Sequence, residues 1–120
     1  MQTLRTMLGT AVLSLLLTAT ADATTVVTPP VRINAGSGYS CLLVNVSNKP
    51  RTLTVQVLNA FTGSAIYENT TTVDPNVFTG VQSGSAADML IYCRFTIDAS
   101  KAKFRAAIAN DTTGQGFAAQ

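Results

Sequence analysis

The chain has 120 residues, of which only 12% are charged, with a formal net charge of +2 and neither histidine nor tryptophan. Average domains carry roughly 25% charged residues, so nothing in the charge balance points to nucleic acid or to an anionic membrane surface. The lack of histidine removes the usual general base at neutral pH, and with it Ser-His-Asp and Cys-His catalysis.

Residues 1–23, MQTLRTMLGTAVLSLLLTATADA, begin with a short segment holding Arg5 and continue in an apolar run from Met7 to Leu17. They close on Ala21-Asp22-Ala23, with small residues at the two positions a signal peptidase reads. This is the three-part pattern of a cleavable secretory signal peptide, with cleavage expected after Ala23 and a secreted or periplasmic destination. The apolar run is too short for a bilayer core of roughly 30 Å, which takes about 20 apolar residues. A retained anchor is the competing reading. No later stretch is long and apolar enough for a membrane helix, and no cysteine follows the cleavage site to carry a lipid.

The remainder, residues 24–120, is expected to be one domain. A chain of that size buries only about 60–65% of its unfolded surface, so a covalent link is of real use to it. Thr24–Ile33 is β-branched and interrupted by Pro29-Pro30, which marks an edge strand or a broken one, because proline cannot donate to a ladder. Asn34–Gly38 (NAGSG) is a turn, Tyr39–Val46 a strand and Ser47–Pro50 (SNKP) a second turn. Thr52–Leu58 alternates, with Leu53, Val55 and Val57 on one face.

Short strands are expected around Ala65–Glu68 and again after Asn69. A turn at Asp74-Pro75-Asn76 leads to another strand near Val77–Val81, followed by a loop at Gln82–Asp88. Met89–Ile97 is the most apolar segment, with Met89, Ile91, Cys93, Phe95 and Ile97 on one face. Lys103–Ala109 forms a strand with Phe104, Ala106 and Ile108 inward, and FAAQ either adds an edge residue or frays. Short strands at regular spacing with turn signals between them predict an all-β, immunoglobulin-like antiparallel β-sandwich of about seven strands.

The two cysteines, Cys41 and Cys93, lie on separate predicted strands. In the oxidising compartment that the leader implies, such a pair forms a disulfide. The alternatives are a redox thiol, which usually sits in a C-x-x-C motif absent here, or a zinc ligand, which would need partners that a histidine-free chain supplies poorly. One feature conflicts with the pairing. Strict alternation puts Cys41 on a face with Leu43 and Asn45, whereas Leu42, Val44 and Val46 form the more apolar face. A bulge at Cys41, or its position at the start of the strand, is the expected resolution.

Other candidate sites are sparse. Lys101, Lys103 and Arg105 are expected to alternate on one strand face, with Arg94 on a neighbour, as an anion or polysaccharide contact strip. The competing reading is a solvated strand face whose lysines blunt an edge. Glu68, Asp74, Asp88, Asp98 and Asp111 fall mostly at turns, where such side chains bond their own backbone. A carboxylate pair for glycoside hydrolysis, or a calcium site in the DPN or DTTG turns, is the alternative. Asn45, Asn69 and Asn110 each begin an N-glycosylation triplet. No cofactor and no metal is expected.

YSCLLVNVSNKPRTLTVQVLNAFTG, YCRFTI and KFRAAIAN together resemble a group of small secreted bacterial proteins of unknown function. The pattern is a cysteine strand with an Asn-Val hairpin, a second cysteine before an Arg-Phe strand, and a Phe-Arg-Ala strand. The resemblance implies a secreted β-sandwich stapled by one disulfide and implies no activity. The function expected from all of this is a non-enzymatic role, binding or structural, at the cell envelope, with a protein or glycan partner. A subunit of a surface fibre assembling by strand addition, with Thr24–Ile33 as the donated strand, is the alternative. A small hydrolase comes third.

Overall fold

The computed structural model describes residues 23–120, so the leader lies outside the described residues apart from Ala23. Among the described residues nine strands follow in chain order: β1 (Thr24–Val27), β2 (Val31–Ile33), β3 (Gly38–Asn45), β4 (Arg51–Asn59), β5 (Ala65–Val73), β6 (Phe78–Gly84), β7 (Met89–Ile97), β8 (Phe104–Asn110) and β9 (Gly116–Ala118). A 3-10 turn, Lys101–Lys103, precedes β8. All pairings are antiparallel and make two sheets. Sheet A runs β1–β7–β4–β5, with β2 continuing beside β7, and sheet B runs β6–β3–β8–β9.

The proline break behaves as its chemistry requires. β1 and β2 are two pieces of one edge segment along β7, separated at Thr28-Pro29-Pro30. Thr28 keeps the ladder going at the break: its N–H donates to the Cys93 carbonyl (3.0 Å), and its hydroxyl accepts from the Cys93 N–H (2.9 Å). Pro29 and Pro30, which have no N–H to donate, fall in the gap between the two pieces, where the register with β7 is interrupted.

The core is the set of inward residues that alternation selects. Leu53, Val55 and Val57 of β4 meet Ile91, Cys93, Phe95 and Ile97 of β7, with Val26, Val31 and Ile33 from the edge, and all are buried. From sheet B come Cys41 and Leu43, Val81, Phe104 and Ile108. Cys41 and Cys93 are joined by a disulfide across the two sheets, with a Cα–Cα distance of 6.0 Å.

The connectivity is immunoglobulin-like at its centre and rearranged at its periphery. The pairs β3–β6 and β4–β7 match the B–E and C–F pairs of immunoglobulin domains, and the disulfide from β3 to β7 matches their B–F bridge. At the periphery, β1–β2 occupies the flank of β7 where the last strand of such a domain would lie, and β8 occupies the flank of β3 where the first would lie. The core has no tryptophan against the bridge, because the chain has none.

Several expectations are corrected. β3 contains no bulge, and its register with both β6 and β8 is continuous from Tyr39 to Val44. The buried face is the one with Cys41, Leu43 and Asn45, and the apolar residues Leu42, Val44 and Val46 point outward. The weak and short strands expected between Ala65 and Val73 are one nine-residue strand, β5. β6 runs on to Gly84, into the segment expected to be a loop. Lys101 and Lys103 lie in the 3-10 turn, so the alternation expected to include them starts only at Phe104.

Candidate functional site

The outer faces of the two sheets differ in chemistry. On sheet A a row of threonines crosses from edge to edge: Thr25, Thr96, Thr54 and Thr70 are successive register partners. Their hydroxyls bond in pairs, Thr25 with Thr96 (3.0 Å) and Thr54 with Thr70 (2.9 Å). The next row is Arg94, Gln56 and Glu68, in which Arg94 Nη1 donates to Gln56 Oε1 (3.2 Å) and Gln56 Nε2 to Glu68 Oε1 (3.4 Å). This is an ordinary solvated face, built of cross-strand polar pairs.

Sheet B presents the opposite. Its rows are Phe78–Val44–Arg105, then Gly80–Leu42–Ala107–Ala118, then Gln82–Ser40–Ala109–Gly116. Apolar and small residues dominate a face that an antiparallel sheet normally gives to water. Phe78 is 68% exposed, and Val46 and Val77 extend the patch past the edge. Gly80 belongs to this face for a steric reason: a Cβ there would run into the carbonyl oxygen of Cys41.

A cleft of about 690 Å³ opens along β8 within this patch. Leu42, Val44, Ala107 and Ala118 line it, together with the buried residues Val26, Leu43 and Phe104. Lys101 and Arg105 stand at its rim, and among the described residues no acidic one lines it. Backbone geometry explains the opening. β9 pairs with β8 only from Ala107 to Ala109. Beyond that, Ala119 donates to the Ala106 carbonyl (2.8 Å), and Gln120 then crosses to sheet A, exchanging two backbone bonds with Val27 (3.2 and 3.0 Å). The first residues of β8 therefore pair with β3 on one side and lack a strand partner on the β9 side. A cleft of this size with apolar walls and few polar groups has the character of a small-molecule site.

The four expected contact residues are not brought together. Arg94 lies on the outer face of sheet A, tied to Gln56, whereas Arg105 lies on the outer face of sheet B. Arg105 folds back so that Nη1 donates to the carbonyls of Phe104 (2.8 Å) and Ala102 (3.3 Å). Lys101 shares the rim of the cleft with Arg105, and Lys103 is exposed on the same 3-10 turn. Of the four residues expected to form a strip, Lys101 and Arg105 share the cleft rim, and Arg94 lies apart on the other sheet. The signal for the cleft is present in the sequence as the more apolar face of β3, of which Leu42 and Val44 line it.

The acidic residues are spread out. Asp88 accepts from the Ala35 N–H (2.8 Å), Asp98 from the Thr52 N–H (2.9 Å), and Asp111 from the Ser40 hydroxyl (2.7 and 2.8 Å to its two oxygens). The first ties two loops together, and the other two each fasten a loop to a strand. Among the described residues no group of three or more His, Cys, Asp or Glu side chains is placed to hold a metal ion.

No protein-family model matches the chain, and no curated protein matches it. Among solved structures it is similar to the crystal structure of Thermotoga maritima 1070, with a TM-score of 0.55 and 10% identity, over 75% of this chain and 81% of that one. At that identity the likeness concerns the all-β fold alone.

Proposed function

We propose that the protein is a non-enzymatic binding protein of the bacterial cell envelope, exported to the periplasm or medium by a leader cleaved after Ala23. The observation that carries the binding role is the cleft along β8, set in an apolar sheet face. The leader pattern and the inter-sheet disulfide support the export. The test is to use the oxidised protein as bait in native envelope extract and culture medium, with the protein's own N-terminus sequenced after export. Reproducible retention of a ligand or partner, and an N-terminus at Thr24, are the expected results. Retention of nothing in either fraction, or an uncleaved leader, would overturn the reading.

A second reading, a fibre subunit assembling by strand addition, is favoured by β5. This nine-residue edge strand is exposed over most of its length, including Ile66 and Tyr67. Among the described residues no strand pairs with its flank away from β4, where another strand could add. Against donation of Thr24–Ile33 stands the placement of that segment along β7 of its own chain, with Val26, Val31 and Ile33 buried. A stable monomer on size exclusion, with Thr24–Ile33 protected from protease, would exclude assembly by this route.

A further inference from the structure

We infer that the cleft along β8 takes a single-chain anionic amphiphile, its aliphatic chain against Leu42, Val44 and Ala107 and its head group against Lys101 and Arg105. The inference rests on the binding role proposed above and names the ligand class of the same cleft.

Three observations carry it. The walls offer almost no polar side chains, so nothing there would match the hydrogen-bonding groups of a sugar or a peptide. Ala107 and Ala118 are neighbours in register, and their small side chains leave a channel beside the longer Leu42. Such a channel suits an unbranched chain better than a ring system. Both charged residues of the lining are cations and lie together where the 3-10 turn enters β8. Arg105 is already oriented by its bonds to the Phe104 and Ala102 carbonyls. Those bonds use Nη1, and a carboxylate or phosphate head would complement the remaining guanidinium donors. With no acidic residue among the described residues of the lining, the field at the mouth selects a negative head group.

The experiment is calorimetric titration of the disulfide-bonded protein with dodecanoate, kept below the concentration at which it forms micelles. Decanoate, dodecyltrimethylammonium and anionic phospholipid vesicles are the comparison arms. Saturable binding of one dodecanoate per chain is expected, with affinity rising roughly threefold to fourfold per methylene from decanoate to dodecanoate. The cationic amphiphile is expected to bind about tenfold more weakly. Lys101→Gln and Arg105→Gln are each expected to weaken dodecanoate by about threefold to tenfold. Both replace exposed side chains, so the comparison does not depend on a variant that fails to fold. Ala107→Trp fills the channel and is expected to abolish binding.

The absence of saturable binding, equal affinity for the two head-group charges, binding to vesicles alone, or full binding by Ala107→Trp would each overturn the inference. The binding role itself would survive any of these outcomes if the bait experiment still retained a different partner.

Discussion

Asn45 and Val73 lie on different sheets and are joined through the core: the Asn45 side chain donates from Nδ2 to the Val73 carbonyl at 2.8 Å. The same amide group donates to the Lys49 carbonyl (2.8 Å), and its oxygen accepts from the Ser47 N–H (3.0 Å) and hydroxyl (2.6 Å). Every hydrogen-bonding group of this fully buried side chain is therefore used, and it fixes the turn after β3 to the end of β5. Removing it leaves carbonyls without partners in the interior. Asn45→Ala is expected to lower stability by about 2–4 kcal/mol, read as a fall in the urea midpoint with an unchanged slope. A loss below the error of the measurement would show that water replaces the amide.

The bridge between Cys41 and Cys93 spans 52 residues of sequence. In the chain-entropy account a loop of that length gives about 4 kcal/mol, a large part of the 5–15 kcal/mol typical of a whole domain. The intact mass of the exported protein is expected to be two hydrogens below that of the reduced chain. Reduction, or Cys41→Ala with Cys93→Ala, should shift the unfolding midpoint far down. Two thiols open to alkylation in non-reducing denaturant would refute the bridge.

Gly80 and Gly116 share the outer face of sheet B but differ in the room around them. A side chain at Gly80 meets the backbone of Cys41, which is itself fixed by the disulfide, whereas one at Gly116 meets the Ile108 carbonyl at an ordinary 3.4 Å. Gly80→Ala is expected to cost about 1–3 kcal/mol, and Gly116→Ala to change stability by less than about 0.5 kcal/mol. Thermal unfolding of the two variants side by side decides this. Equal melting temperatures would mean that β6 moves away from β3 at little cost.

Of the three glycosylation triplets, Asn45 and Asn110 are buried and bonded, whereas Asn69 is exposed on β5. A glycan on either buried amide is incompatible with the sandwich. Secreted from a eukaryotic host, folded protein is expected to carry sugar at Asn69 alone. Peptide mapping after enzymatic deglycosylation is the check, and folded material modified at Asn45 would contradict the packing described above.

The strands that were easiest to read in the sequence are those whose own pattern matches their environment. β4 and β7 sit at the centre of sheet A, so their alternating Leu, Val, Ile and Phe residues report directly which face is inward. β3 misled because the chain carries more apolar residues than its core holds. Leu42 and Val44 line a cleft, and the inward position Asn45 is polar, its burial made possible by partners from Lys49 and Val73 that no local pattern reveals. β5 resembles two weak pieces in the sequence because its polar residues owe their extended form to pairing with β4. Lys101 and Lys103 imitate a strand in spacing, yet the chain turns there to enter β8. The cleft itself arises from where β9 leaves β8, a long-range relationship invisible to any window of sequence.

The passage of the last residues from β8 to Val27 completes a set of fastenings that includes Cys41–Cys93, Asn45 to Val73, and Asn110 Nδ2 to the Arg32 carbonyl (3.3 Å). These lie at the middle, at both ends and on one flank of the interface between the layers. Sliding of one layer over the other, a common way for packed elements to yield, has no free direction left. Opening of the molecule is confined to peeling of its rim, where Ala118–Gln120 lifts from β8 and β1. A guest entering the cleft would therefore slow amide exchange at that rim while leaving the rest of the frame unchanged.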